Sequence, residues 1–313
     1  TAHVGNTGWN QDDNESSRIW ACGLIVRESA SLKTHHRATH SLSEMLIAQG
    51  VPAIAGIDTR HLTLLLRDKG SLGAAIVTDV SRLEEAKHLA DSFGGMAGQA
   101  LTAHVSCQSV QAWDQGWDAQ AFVEAPPCER TRPHVLVYDF GVKHSILRAL
   151  VSMGCQVTVL PAATPPEEAL ALTPDGIVLS NGPGDPATCL EAIEAARYFF
   201  KNKIPVLGIC LGFQIIALAL GARVYKMKFG HHGANHPVAG DAVVYVTSQN
   251  HGFAVEEPSL PSDVMVTHRS LFDGSLQGFR HQSLPIMGFQ GHPEAGPGPH
   301  DMLGLFEKFR RLL

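Results

Sequence analysis

The apolar run IPVLGICLGFQIIALALGA, at residues 204–222, constrains the fold of this chain more than any other segment. Its length matches that of a membrane-spanning helix. However, Pro205, Gly208, Gly212 and Gln214 interrupt the run, and such residues are unfavourable along a continuous apolar helix. The run therefore predicts a buried strand that turns sharply into a buried helix.

Strand and helix signals alternate from residue 134 onwards. Strand-like apolar runs end in glycine or proline, and the runs between them repeat apolar residues at helical spacing. This alternation predicts an α/β fold with a mostly parallel, doubly wound sheet. Ligands bind such sheets at the carboxyl ends of the strands, so we expect the chemistry in the loops after Leu179 and Ile209. Short strands are expected over residues 224–290, and an amphipathic helix over 301–313.

The sequence before residue 134 is of a different kind. Residues 124–133, EAPPCERTRP, combine three prolines with mixed charges and are interpreted as a linker. Residues 1–123 mix helix and strand signals, carry no catalytic motif and are interpreted as a separate α/β domain. The elements predicted within it are helices at 41–50 and 59–70 and strands at 21–28 and 73–79.

Composition narrows the classes of function. The 313 residues are 44% hydrophobic and 17% charged, which fits globular domains rather than a disordered chain. A net charge of −6 gives no basic surface, so nucleic acid is not an expected partner. The polar start has no apolar signal segment and the cysteines form no C-x-x-C pair, so a reducing cytoplasm without membrane attachment is the expected setting. The six cysteines are Cys22, Cys107, Cys128, Cys155, Cys189 and Cys210.

The pentapeptide GICLG, at residues 208–212, has the form G-x-nucleophile-x-G at the predicted turn from strand to helix. Its glycines let the strand and the helix approach each other, and the turn raises the Cys210 sulfur above the sheet. The turn also directs the backbone N–H of Leu211 towards a developing oxyanion, while the helix N-terminus favours the thiolate. The pattern therefore predicts that Cys210 is a nucleophile rather than a small buried core residue.

A thiol nucleophile also needs a base. His292 is the best candidate, because Glu294 lies two residues further along an extended, proline-stiffened segment and can hold the imidazole. With 17 histidines in the chain, an isolated His-x-Glu pair is a weak signal by itself.

Two loops have compositions that suggest other ligands. SNGPGDP, at residues 180–186, lacks a following Gly-Lys-Ser/Thr, so we expect its backbone to approach a substrate rather than to bind a phosphate. GHHGANH, at residues 230–236, has the spacing of half a zinc site, but no cysteine or carboxylate pattern completes it. A polar loop that lines the site or covers a sheet edge is the favoured interpretation, and no metal is expected.

These motifs together resemble the class I, triad-type glutamine amidotransferases. The matching stretches are GICLGFQ, GHPEA and LSNGPGDP. YDFGVKHSILR, KFGHHGANHPV and SQNHGFAV are similar to one branch of that family, the small subunits of glutamine-dependent carbamoyl-phosphate synthetases. HVGNTG, GLIVRE and IAGIDTRHLTLLLRDKG are similar to the N-terminal domain of those subunits. The resemblance covers nearly the whole chain and implies that the chain begins inside that N-terminal domain.

The resemblance implies a role for each matching residue. Cys210 attacks the side-chain amide of glutamine to form a γ-glutamyl thioester, His292 transfers protons and Glu294 orients His292. Gly182 and Leu211 supply the oxyanion N–H groups. The ammonia passes to a separate large synthetase subunit, which uses ATP and Mg²⁺ with bicarbonate for arginine and pyrimidine biosynthesis, so no cofactor is expected in this chain. The other implied contacts to glutamine are Gly184, Gln214, Asn250, Gly252 and Phe253.

One residue departs from the family pattern, and other functions stay open. Phe213 occupies the position where the family usually carries histidine, outside the triad, so activity is expected to persist. Another class I amidotransferase would share these motifs but would generally lack the N-terminal domain. A stand-alone cysteine hydrolase would share the elbow and be fully active in isolation. An inactive scaffold is disfavoured, because Cys210, His292 and Glu294 are all present.

Overall fold

The chain divides into two compact units, residues 1–95 and 96–313. No helix in the described part of the chain is long and apolar enough to cross a membrane. The computed structural model describes residues 4–30, 32–117, 132–240, 242–296 and 298–313.

The boundary between the units lies before the predicted boundary at residue 123. The segment after residue 95 belongs to the second unit, because a short strand at its end, Gln111–Trp113, pairs with the sheet of that unit. The predicted linker, 124–133, lies outside the described residues except for Arg132 and Pro133.

The first unit contains three helices and a short parallel sheet among its described residues. Both predicted helices form, and α1 begins with a capping box in which Ser41 and Glu44 each accept the backbone N–H of the other. The strand predicted at 73–79 is wrong: that segment joins no sheet, and Ile76 instead packs its side chain against Gly23. The elements are β1 (Leu24–Ile25), α1 (Leu42–Ala48), β2 (Ala53–Ile54), α2 (Thr59–Lys69) and α3 (Leu83–Ser92).

The second unit is organised around a sheet of ten described strands. In spatial order they are β3 (Gln111–Trp113), β5 (Gln156–Pro161), β4 (His134–Asp139), β6 (Gly176–Leu179), β7 (Val206–Ile209), β12 (Ile286–Phe289), β11 (Leu276–His281), β10 (Val264–Ser270), β8 (Val224–Gly240) and β9 (Val243–Val255). The central strands from β5 to β12 are parallel to one another, and antiparallel strands extend both edges. This arrangement confirms the predicted α/β fold with a parallel central sheet.

Both faces of the central strands are buried under helices. Along β4, Leu136 and Tyr138 belong to one core cluster, whereas Val135 and Val137 belong to a second cluster on the opposite face. Such two-sided burial explains why β4 is an unbroken apolar run rather than an alternating one. The helices of this unit are α4 (Thr102–Val105), α5 (His144–Ser152), α6 (Pro166–Ala171), α7 (Leu190–Lys201), α8 (Leu211–Ala219) and α9 (Gly304–Arg310).

Strands β8 and β9 are longer than the short strands predicted for residues 224–290, with 17 and 13 residues. The loop-like sequence GHHGANHP lies within β8. Its pairing with β9 shifts register between Lys226 and His231 and again between Gly233 and His236. These irregularities accommodate the glycines and the proline, so the strand continues through them. The other three strands of this region have seven, six and four residues, as predicted.

Candidate active site

Cys210 lies in the sharp turn between β7 and α8 that the sequence predicts. Its backbone has φ 53° and ψ −99°, in a region that residues with a side chain adopt only at a cost. A Cβ on Gly208 would lie 2.6 Å from the backbone of Gly212, and a Cβ on Gly212 would collide with the carbonyl oxygen of Leu179. The N–H of Gly212 donates to the carbonyl oxygen of Ser180 at 3.0 Å. The two glycines therefore allow the turn, and β6 supports it.

His292 reaches the elbow because β12 runs parallel beside β7. Ile209 pairs with Phe289 at the ends of these strands, and the N–H of Cys210 donates to the carbonyl oxygen of Phe289 at 2.9 Å. The loop after β12 therefore starts next to Cys210. Within that loop, the N–H of His292 donates to the carbonyl oxygen of Ser248 in β9 at 2.9 Å.

The imidazole of His292 lies between Glu294 and Cys210. Its Nδ1 is 2.8 Å from Oε1 of Glu294, whose side chain is fully buried. Because an ionised carboxylate can only accept hydrogen bonds, Nδ1 carries a proton towards Glu294. Nε2 is the ring nitrogen left for Cys210, whose side chain interacts with His292 and raises its pKa. The same carboxylate oxygen is 3.4 Å from Nζ of Lys143.

For both His292 and Glu294, the interactions with neighbouring side chains outweigh the effect of burial on the pKa. Burial lowers the pKa of His292, but its interactions with Glu294 and Cys210 prevail and raise that pKa to about 10. Burial likewise raises the pKa of Glu294, whereas the charges of His292 and Lys143 hold it at about 2. The site therefore holds a buried imidazolium–carboxylate pair against the cysteine.

Two further polar groups surround the Cys210 sulfur. The backbone oxygen of Asn250 lies 3.9 Å from Sγ, and Nε2 of Gln290 lies 3.8 Å from it. The Gln214 side chain links β9, which carries Asn250, to the loop that carries Gln290. Its Nε2 is 3.0 Å from both the carbonyl oxygen of Phe253 in β9 and Oε1 of Gln290. Helix α8, strand β9 and the loop after β12 thus converge on the sulfur.

The predicted oxyanion donors lie together beside the elbow. A Cβ on Gly182 would collide with the carbonyl oxygen of Phe140 and lie 2.8 Å from Cδ2 of Leu211. Leu211 is the first residue of α8, so its N–H has no acceptor within the helix. Gly184, with φ 98°, packs instead against Gln99.

The remaining predicted glutamine contacts lie on β9. Asn250, Gly252 and Phe253 follow one another in that strand, with Asn250 nearest the sulfur. A Cβ on Gly252 would lie 3.3 Å from Nζ of Lys226, so this stretch of β9 also faces β8.

Sequence reasoning missed Gln290 and Lys143. Gln290 directly follows β12, and the parallel register of β12 with β7 places it beside Cys210. Lys143 follows β4 at the same edge of the sheet and immediately precedes α5. The only sequence feature that points to either residue is its position shortly after a predicted strand, at the edge of the sheet where ligands bind. Phe213, the departure from the family pattern, is fully buried with its ring 4.6 Å from that of Phe279, in the core rather than at the sulfur.

The histidine-rich run in β8 makes hydrogen bonds within the protein. Nε2 of His231 lies 2.9 Å from Oδ2 of Asp273, and Nδ1 of His232 lies 2.8 Å from Oδ1 of Asn250. Across the described ranges, no group of three or more His, Cys, Asp or Glu side chains could hold a metal ion. The run is therefore part of the sheet next to the site.

Comparisons with known proteins agree on one family. The family model for class-I glutamine amidotransferases matches residues 136–312, and that for the CPSase domain of the carbamoyl-phosphate synthase small chain matches residues 1–76. The carbamoyl phosphate synthase small chain of Vibrio cholerae is 50% identical, over 99% of this chain and 83% of its own length. That of Pseudomonas aeruginosa is also 50% identical, over 98% and 82%. This chain belongs to the carbamoyl-phosphate synthase small-chain family.

As a small chain, it is the glutamine amidotransferase subunit of a carbamoyl-phosphate synthase. A crystal structure described as a GMP synthase subunit from Thermoplasma acidophilum has a TM-score of 0.52 and 26% identity to it. The match covers 59% of this chain and 95% of that protein. The match to the small-chain domain over residues 1–76 distinguishes this chain from amidotransferases that consist of the class I domain alone.

Proposed function

We propose that this chain hydrolyses L-glutamine to glutamate and ammonia, with Cys210, His292 and Glu294 as its catalytic triad. The observation that carries the proposal is the position of His292: its Nδ1 lies 2.8 Å from Oε1 of Glu294, and its loop starts beside Cys210, whose N–H donates to the carbonyl oxygen of Phe289 at 2.9 Å. This is the arrangement of nucleophile, base and orienting acid that acyl transfer requires.

The reaction proceeds through a thioester at Cys210. The sulfur forms a bond to the side-chain amide carbon of glutamine, and the carbonyl electron pair moves onto oxygen, which the N–H groups of Gly182 and Leu211 stabilise. His292 gives its proton to the leaving nitrogen, the C–N bond breaks and ammonia departs. His292 then takes a proton from water, whose oxygen displaces the sulfur to release glutamate.

The substrate lies over the elbow, where the remaining implied contacts are arranged. The carbonyl oxygen of Asn250 lies 3.9 Å from Sγ, and the Gln214 side chain links Phe253 to the segment that carries His292. These groups are suited to hold the polar ends of glutamine near the sulfur. Gly252 lets the backbone approach the substrate closely, whereas Gly184 packs against Gln99 and is not assigned a contact to glutamine.

The ammonia passes to a large synthetase subunit, which uses ATP, Mg²⁺ and bicarbonate to make carbamoyl phosphate for arginine and pyrimidine biosynthesis in the cytoplasm. The names of the relatives support this partner, since each is the small chain of a synthase. ATP and Mg²⁺ are thus assigned to the partner, and no cofactor is assigned to this chain.

Replacement of the nucleophile tests the proposal. In the complex with the large subunit, Cys210→Ser should abolish carbamoyl phosphate synthesis from glutamine but preserve synthesis from added ammonia. The exposed Cys22 provides the matched control, because Cys22→Ser should leave both rates unchanged. Equal loss with both nitrogen sources in Cys210→Ser would refute the assigned role.

A further inference from the structure

Residues 96–107, here called the strap, run along the carboxyl edge of the parallel strands. The N–H of Cys107 donates to Oδ2 of Asp139, the last residue of β4, at 2.7 Å. The N–H of Ala162, which follows β5, donates to Oγ of Ser106 at 2.9 Å. The strap lies between the two family matches, which end at residue 76 and begin at residue 136. It therefore borders the site without being part of the matched amidotransferase domain.

The strap also holds Asp185, in the loop that follows β6. The N–H of Asp185 donates to the carbonyl oxygen of Gln99 at 3.0 Å, and its Oδ2 accepts the N–H of Gly98 at 2.8 Å. Its other carboxylate oxygen, Oδ1, accepts the N–H of Ala187 at 2.9 Å. Asp185 is thus fixed through both its backbone and its side chain.

The loop that ends at Asp185 lies between the strap and the elbow. On the strap side, a Cβ on Gly184 would lie 2.6 Å from the carbonyl oxygen of Gln99. On the elbow side, Gly182 packs against Phe140 and Leu211. Because both sides of the loop are in close contact, a displacement at Asp185 would be transmitted to the backbone of Gly182.

We propose that Asp185 is a positioning residue for glutamine hydrolysis and acts through the loop that carries Gly182. The proposal rests on the proposed function, in which the N–H of Gly182 stabilises the oxyanion. Loss of one such donor costs about 10²–10³ in kcat, so a small displacement of this loop has a large effect on the rate. Asp185 acts on the transition state indirectly, since its carboxylate binds backbone N–H groups outside the site.

The test compares Asp185→Ala with Asp185→Asn in the complex with the large subunit. The alanine variant loses both side-chain hydrogen bonds, whereas asparagine retains an oxygen that can accept the N–H of Gly98. We expect kcat for glutamine hydrolysis to fall at least about tenfold in Asp185→Ala and less in Asp185→Asn, with little change in KM. Synthesis from added ammonia should persist.

An aldehyde analogue of glutamine gives a second measurement. Its carbonyl carbon bonds to the sulfur of Cys210, and its oxygen takes up the proton and the place of the oxyanion. If Asp185 positions the oxyanion donor, the inhibition constant of the aldehyde should rise by the same factor by which kcat/KM falls.

Asp175 provides the matched control at the opposite end of the sheet. Its N–H donates to the carbonyl oxygen of His134 at 2.8 Å, and its Oδ2 accepts the N–H of His134 at 2.7 Å. Like Asp185, it is therefore held by both its backbone N–H and its carboxylate. Asp175→Ala should lower the melting temperature without changing kcat. A parental kcat in Asp185→Ala, or an equal fall of kcat in Asp175→Ala, would overturn the proposal. Failure of the proposed function would be recognised separately, because the parent itself would then form no glutamate.

Discussion

At the scale of single residues, the buried pair of His292 and Glu294 determines the charge beside Cys210. Either charge alone would be unfavourable at that depth, because burial disfavours ionised groups. Together the two groups stay ionised, with pKa values of about 10 and about 2. In the proposed reaction, this imidazolium supplies the proton for the departing ammonia at neutral pH.

The raised pKa of His292 should make stability depend on pH above neutrality. Its pKa rises from 6.5 to about 10 on folding, so the stabilisation is fully present below pH 6.5 and is lost as the pH rises through about 10. His292→Ala lacks this contribution. The melting temperature of the parent, minus that of the variant, should therefore decrease between about pH 7 and pH 10. A difference that is constant over this range, measured by scanning calorimetry, would contradict the assigned ionisation.

Replacing the base should cost more activity than replacing the acid that orients it. In the proposed mechanism His292 moves protons in both halves of the reaction, a contribution typically worth about 10²–10⁴-fold, whereas Glu294 positions the imidazole. We expect His292→Ala to lower kcat for glutamine hydrolysis further than Glu294→Gln does. Steady-state rates of the two variants in the complex decide the point, and a larger loss for Glu294→Gln would reverse the roles.

The elbow at Cys210 and the pairing of His292 with Glu294 could be predicted from sequence because local patterns encode them. A cysteine between two glycines, at a change from strand to helix, requires the turn that Cys210 adopts. His292 and Glu294 lie two residues apart, so their pairing is also local. Gln290 and Lys143 could not be predicted in this way, because they reach the site through strand order and parallel register. Those properties arise from pairing between distant segments.

At the scale of elements, the contact between β7 and α8 determines the shape of the site. Neither glycine beside Cys210 has space for a side chain. Gly208 faces the backbone of Gly212, and Gly212 faces the backbone of Leu179. Strand β6 lies behind this contact, and Ser180, the residue after it, accepts the hydrogen bond from the N–H of Gly212. The elbow is therefore formed by three adjacent elements rather than by the turn alone.

Gly212→Ala should disrupt the elbow. The new Cβ would collide with the backbone carbonyl of Leu179, so the helix would have to move, at a cost of about 3 kcal/mol, the upper end for overpacking. Gly304→Ala is the matched control, because a Cβ on Gly304, at the start of α9, meets nothing within 4 Å. Chemical denaturation should show a loss of stability in Gly212→Ala alone. Equal stability of the two variants would show that the elbow can relax.

The predicted elements were correct where a long apolar run dominates, as in β7 and α8. The prediction failed where tertiary contacts override local preference. Strand β8 continues through GHHGANHP because its pairing with β9 absorbs two register shifts. Conversely, the apolar run at 73–79 has strand composition but joins no sheet.

At the scale of the whole molecule, every predicted site residue lies in the second unit, residues 96–313. The first unit instead carries the match to the small-chain domain, over residues 1–76. Prolines mark a break near residue 130 in the sequence, whereas packing places the division near residue 95. The difference arises because the strap and β3 join the second unit by hydrogen bonds, which composition does not reveal.

We expect weak glutaminase activity from this chain alone and strong stimulation by the large subunit during ATP turnover. Ammonia released into water would be largely protonated and no longer nucleophilic, so hydrolysis without the partner would waste glutamine. A movement of the loop at Gly182 could account for such stimulation, because misplacing one oxyanion donor costs about 10²–10³ in kcat. Glutamate formation should be measured with and without the large subunit, ATP and bicarbonate, with Cys210→Ser as the blank. A full rate from the isolated chain, unchanged by these additions, would instead favour a stand-alone hydrolase.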